Sequence, residues 1–391
     1  MGRVRFTYIR QLTGLRGIAA ICVMLGHLPH APSDGRLGLF LADLSSKLSL
    51  PNLGVATFYS LSSFLLTYLA LEERQRTGGF AITPFLLRRM LRIWPLYFIS
   101  IGVGVLVYGL AWLQSEAGWV LPFLSNWSLA LVGVGGHISH QPSPITLLWS
   151  ISVEEQFYLV FPVLIYALIN SSTRKVLIAI VATFIAGYIF RTIFCIASGG
   201  AAPAPGSGGI YFTTFAYLDT FTAGSCAAIV FFNRDRNKTC QMICGALNKA
   251  TPITLILLIA LGSLWAANLW APYRVMTVLS FGLVGIGAAL FVLSVALAER
   301  SYIAKFLNTR PVHFLGTVSF SFYVWHLYPA RLSEMISNDF NLKLAITLSL
   351  SIAFAAASYR LIERPLGKRR KPVSSDNVAP SMPSSRGAPL T

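Results

Sequence analysis

Acidic residues are scarce in this chain. Only 14 Asp and Glu stand against 31 Lys and Arg in 391 residues, and charged residues of both signs make up 12%. With 55% of its residues hydrophobic, a soluble domain would lack the polar surface to cover itself, so the composition points to a membrane protein. Cysteine is scarce too: Cys22, Cys195, Cys226, Cys240 and Cys244 form no framework of the secreted type. The first three fall in apolar segments. The last two share a basic loop in which no two further ligands stand beside them, so no metal site is expected. The first apolar run lacks a small-residue cleavage site after it and is therefore read as retained rather than as a signal peptide. No internal repeat is evident.

What the chain has in quantity is apolar runs of membrane length. Runs of about 18 to 23 residues predict about ten transmembrane helices, near 12–30, 53–72, 93–114, 147–169, 175–197, 212–232, 252–270, 275–297, 313–332 and 343–362. A further piece, 119–134, is broken by Pro122 and Asn126 and reads as re-entrant or interfacial. The fold class expected is all-α and polytopic. Basic residues cluster in alternate loops: Arg74 and Arg76 follow the second run, Arg234 and Arg236 the sixth, Lys368 and Arg369 the tenth, whereas 115–146 and 198–211 contain none. That alternation places both termini in the cytoplasm and accounts for most of the +17 net charge as orientation in a lipid bilayer, not as affinity for nucleic acid. The polytopic domain is placed at 1–367, and 368–391 reads as a disordered, basic, Ser- and Pro-rich tail.

The polar residues inside the apolar runs carry the functional argument, because an ionisable side chain there is costly. In LTGLRGIAAICVMLGHLP, Leu12 to Pro29, Arg16 and His27 lie eleven residues apart. At ~100° per residue they return to one helix face, roughly 16 Å apart. Counting depth from the predicted orientation, His27, Glu154, Glu155, Arg191, Asp219 and His326 all fall in the outer half. Such a group can do general-base chemistry: a neutral imidazole takes a proton from a hydroxyl and a carboxylate steadies the imidazolium, without a metal. Glu154 and Glu155 point about 100° apart, so only one can face His27; Glu154 is slightly preferred. Each candidate also has a structural explanation. His27 can be a hydrogen-bonded structural imidazole, His326 beside Tyr323 and Trp325 an aromatic anchor, and Arg191 with Asp219 a self-neutralising pair. On the cytoplasmic side Arg88, Arg89 and Arg92 crowd PFLLRRMLRIWP, where Arg89 and Arg92 share a face suited to clamping phosphates. With Arg16 they point to a long anionic carrier entering from the cytoplasm, its reactive end towards His27.

The same residues match a known family. LTGLRGIAAICVMLGH is similar to the opening of the integral-membrane acyltransferases of family three, marked by Arg or Lys, ten residues, then His. FYSLSSFLLTY resembles the second segment, LRRMLRIWPLY the Arg-x-x-Arg signature, LLWSISVEEQFYLVFP the most recognisable stretch, and FLGTVSFSFYVWHLYP with LIERPL the closing pair. The likeness runs in order over about residues 10 to 367. It implies transfer of an acyl group, most often acetyl, from acyl-CoA to a hydroxyl of a saccharide, a polysaccharide precursor or a glycosylated small molecule. The setting it implies is a bacterial inner membrane. Carried over, His27 is the catalytic imidazole, as general base or as transient acyl carrier, Arg16 its partner in the motif, Glu154 or Glu155 the carboxylate, and Arg89 and Arg92 the coenzyme-A contacts. Thr13 stands where Asp is usual and Ser63 where Gly is usual, the Arg often found shortly before Asp219 is absent, and the stand-alone form, without the esterase-like domain fused in some members, is expected. The rival reading, a sugar-lipid transporter with a proton relay, would bring internal symmetry and broken-helix pairs. A non-enzymatic subunit of polysaccharide export would tolerate loss of His27.

Overall fold

The computed structural model describes residues 9–28, 35–132, 147–168, 171–197, 209–269 and 274–368. The N-terminal Arg3 and Arg5, most of the lysine- and arginine-free outer loops, and the tail beyond 368 lie outside them. Among the described residues the chain is helical, with no strand. Its longest helices are the apolar runs of the sequence: α3 (Leu50–Thr77) follows a short α1 (Arg10–Leu25) and an amphipathic α2 (Arg36–Leu48). Then come α4 (Ile82–Tyr108), α5 (Leu110–Val120), α6 (Ser125–Val132), α7 (Leu148–Leu168) and α8 (Thr173–Ala197). After two 3₁₀ turns follow α9 (Leu218–Phe232), α10 (Lys238–Asn248), α11 (Thr251–Leu269) and α12 (Arg274–Leu297). The last third is made of short pieces, α13 (Tyr302–Leu307), α14 (Arg310–Thr317), α15 (Ser319–Trp325) and α16 (Leu327–Ile336). It closes with α17 (Phe340–Ser358), a π turn over Tyr359–Glu363, and α18 (Arg364–Lys368).

Seven helices among the described residues are long and apolar enough to cross a membrane, or eight if α10 and α11, bent by 81°, form one span. The ten runs expected are present as apolar sequence, but several are not single uninterrupted α-helices: that at 93–114 is divided at Gly109 between α4 and α5, and that at 212–232 begins in the 3₁₀ turns before α9. The first ends at Leu25, leaving His27 beyond the helix. The run at 313–332 breaks into α14, α15 and α16, with junctions at Val318 and His326. The interrupted segment at 119–134 is seen as the break between α5 and α6, where Phe123 adopts the left-handed region at φ 59°. Cys240 and Cys244, assigned to a loop, stand one turn apart on α10.

α1 sits at the centre of the bundle because its neighbours touch it backbone to backbone. A Cβ on Gly316 would stand 1.7 Å from the Thr13 carbonyl oxygen, and one on Gly14 would stand 2.1 Å from the Leu307 carbonyl oxygen. Small residues permit this approach between helices packed in lipid, where dispersion and close fit replace the hydrophobic drive. The Gln11 amide seals the end of the contact by donating to the carbonyls of Val295 and Ala296, each at 3.2 Å. Replacing Gly316 with Val forces α14 off α1. The expected cost is about 1–3 kcal/mol, seen as a lowered unfolding midpoint by intrinsic fluorescence in detergent, while Gly118→Ala, with open space around its α-carbon, leaves the midpoint in place.

Candidate active site

Five helices from distant parts of the chain, α1, α3, α4, α7 and α15, enclose a cavity of about 320 Å³. Helical periodicity explains which side chains reach it. On α7, Ser150, Glu154 and Tyr158 recur at four-residue steps and share the cavity face, while Glu155 is turned about 100° away. On α4, Arg89 and Arg92 line it one turn apart, and α1 contributes Thr13 and Arg16. The Arg89 guanidinium lies over the rings of Phe85 and Tyr158 at 5.9 and 5.8 Å, a cation–π arrangement that holds a cation at the wall. Among the described residues neither Arg16 nor Arg92 has a carboxylate within ion-pair distance. Arg92, Glu154, Tyr158 and Glu363 are the charged or ionisable groups near enough to act on Arg16. A half-buried cavity with cationic walls is built to receive an anion.

The structure sorts the remaining candidates into separate places. Glu154 accepts a hydrogen bond from the Ser62 hydroxyl, which itself accepts from Tyr158 at 3.2 Å. The slight preference for Glu154 as the partner of His27 therefore has no counterpart here: its helix face turns it to α3 and the arginines. Glu155 is buried against α4, accepting from the Trp94 indole at 2.9 Å. Arg88 does not join Arg89 and Arg92, because its position on the helix turns it to Glu73 at 3.5 Å. Arg191 and Asp219, expected in the outer polar group, pair with each other at 2.8 Å, both buried between α8, α9 and α12. Arg191 also donates to the carbonyls of Val278 and Ala216 at 2.8 and 3.0 Å, so each of its three nitrogens is engaged by the fold.

His27 and His326 do come together. Their ring centroids are 5.5 Å apart at 57°, although one lies past the end of α1 and the other at the junction of α15 and α16. Tyr323 links them to the cavity: it lines the wall, its ring lies 5.8 Å from that of His326, and its hydroxyl meets the Ser150 hydroxyl at 2.5 Å. Each imidazole uses Nδ1 on a backbone carbonyl, His27 on Val23 at 2.7 Å and His326 on Tyr323 at 2.8 Å. In the neutral tautomer that donates there, Nε2 is the basic nitrogen.

Ser62, Ser150 and Tyr158 were not singled out in the sequence, although counting four residues either way from Glu154 identifies the last two. Of the two substitutions in family motifs, Thr13 lines the cavity. Ser63 does not. Its hydroxyl turns back to the carbonyls of Tyr59 and Ser60, where Gly224 of α9 leaves room for it.

With that geometry in place, comparison with known proteins is decisive: an acyltransferase domain profile matches residues 9–360. The chain belongs to the integral-membrane acyltransferases of family three. A Staphylococcus aureus (strain COL) protein bearing a provisional O-acetyltransferase name is 26% identical over 401 residues, covering 96% of this chain and 60% of its own. The O-acetyltransferase OatA of S. aureus (strain NCTC 8325 / PS 47) is 27% identical over 382 residues, covering 93% of this chain and 58% of its own. The chain thus spans about three fifths of the length of these curated relatives. No solved structure matches it.

The buried ion pair yields a stability test. Arg191→Met leaves the Asp219 carboxylate unpaired in an apolar site and is expected to cost about 3–5 kcal/mol, whereas adding Asp219→Leu returns most of it. The check is the unfolding midpoint of the single and double variants in detergent.

Proposed function

We propose that this family member is an O-acyltransferase that moves an acyl group, acetyl above all, from acyl-CoA to a hydroxyl of a saccharide, a polysaccharide precursor or a glycosylated small molecule. Its setting is the bacterial cytoplasmic membrane, with both termini in the cytoplasm. The observation that carries the reading is the polarity of the cavity: Arg16, Arg89 and Arg92 on its walls, and a pair of imidazoles behind Tyr323. The O-acetyltransferase names of the relatives agree with it.

In this reading the arginines hold the phosphates of the donor, Arg89 and Arg92 as a fork and Arg16 deeper in the wall, and the thioester extends towards Tyr323. His27 Nε2 takes the proton of the acceptor hydroxyl as its oxygen bonds to the acyl carbon. The carbon–sulfur bond then breaks and the thiolate receives the proton. No metal is required for these steps, since the base is a neutral imidazole and the leaving thiolate is stable.

The test uses radiolabelled acetyl-CoA and inverted membrane vesicles carrying the host's own envelope saccharides. Arg89→Ala and Arg92→Ala are expected to raise KM for the donor about tenfold or more while kcat changes less, because they remove binding that ground state and transition state share. His27→Ala is expected to lower kcat by roughly 10²- to 10⁴-fold. Undiminished turnover in His27→Ala overturns the assignment of the base.

A further inference from the structure

His326 has no counterpart in the steps just described, yet it is fully buried and its Nε2 has no hydrogen-bond partner among the described residues. A buried nitrogen left unpaired costs free energy, and a neutral imidazole with Nδ1 donating to a carbonyl can use Nε2 only as an acceptor. The ring beside it is a second imidazole. His27 is tied through Nδ1 in the same way, and the centroid separation of 5.5 Å with tilted rings is not a stacked contact. A hydrogen bond of about 2.9 Å between two ring nitrogens puts the centroids roughly 5 Å apart, close to what is seen. Two acceptors and no proton cannot bond; two acceptors and one proton can.

His27 also lacks the usual means of steadying a charged imidazole. Among the described residues no carboxylate pairs with it, and its Nδ1 rests on the Val23 carbonyl. We propose that His27 and His326 act as one base: the proton taken from the acceptor hydroxyl is held between their two Nε2 atoms, with the positive charge spread over both rings, until the departing thiolate removes it. The inference rests on the acyl-transfer reading above and gives His326 the part a carboxylate would otherwise fill. The proton balance is unchanged, one leaving the hydroxyl and one arriving on sulfur. The titratable groups facing His326 are His27, just past the end of α1, and Tyr323 from its own helix; α4, α14, α16 and α17, also packed on α15, add no charged partner among the described residues.

The experiment compares wild type with His326→Gln and His326→Asn in vesicles with labelled acetyl-CoA, across pH 5.5 to 8.5. An amide can accept a hydrogen bond but cannot share a proton, so kcat is expected to fall about 100-fold with KM for acetyl-CoA within twofold. Sharing stabilises the protonated pair, so its loss moves the acid limb of the kcat profile to lower pH, by about one unit. A readout independent of turnover is the rate at which diethyl pyrocarbonate modifies His27, mapped by mass spectrometry: its midpoint is expected to move in the same direction. Turnover lost with both midpoints unmoved shows a structural role and overturns the pairing, as does wild-type turnover in either variant. A wild type that transfers no label overturns the acyl-transfer reading itself, which the diethyl pyrocarbonate midpoints distinguish from failure of the pair.

Discussion

The close approach of α1 to the short helices near the end of the chain is the contact on which the site depends. Gly14 and Gly316 let two backbones meet where any larger side chain would collide with a carbonyl oxygen. That contact places Arg16 beside the cavity and carries His27 to the level of His326. Arg16 is held by the backbone fit of its helix rather than by an ion pair, so its charge stays available to the cavity.

A second constraint sorts the polar residues. A charge inside an apolar bundle must be paired, shared or left facing a cavity, and this chain uses all three arrangements. Arg191 and Asp219 are paired and serve the fold. Glu154 shares its charge with the Ser62 hydroxyl of α3, which in turn accepts from Tyr158. Arg16 and Arg92 face the cavity. Sequence depth alone could not separate these cases, because residues at one level of the membrane can still sit on opposite sides of a helix.

The long apolar runs, the all-α class and the grouping of Arg16 with Arg89 and Arg92 were legible from the sequence, whereas depth counting put Glu154 with the imidazoles and the structure puts it on the wall with the arginines. Hydrophobic length and helical periodicity are local properties, written into consecutive residues. The breaks at Val318 and His326 were not legible, because FLGTVSFSFYVWHLYP is apolar enough to pass as one helix and only packing against α1, α4 and α17 decides where it bends. The partner of Glu154 was likewise hidden. Ser62 lies 92 residues away, and nothing in FYSLSSFLLTY marks that serine above its neighbours.

The cavity wall also has a history in time. Four of its helices, α1, α3, α4 and α7, are complete by residue 168, yet the fifth, α15, begins only at Ser319. A chain still being inserted therefore carries its arginines and Glu154 for some 150 residues of synthesis, the difference between positions 168 and 319, before Ser319, Phe320 and Tyr323 arrive to complete the wall. During that interval the cationic wall and His27 exist without His326. An emerging polypeptide is thus assembled around its cationic half before the second imidazole reaches the first.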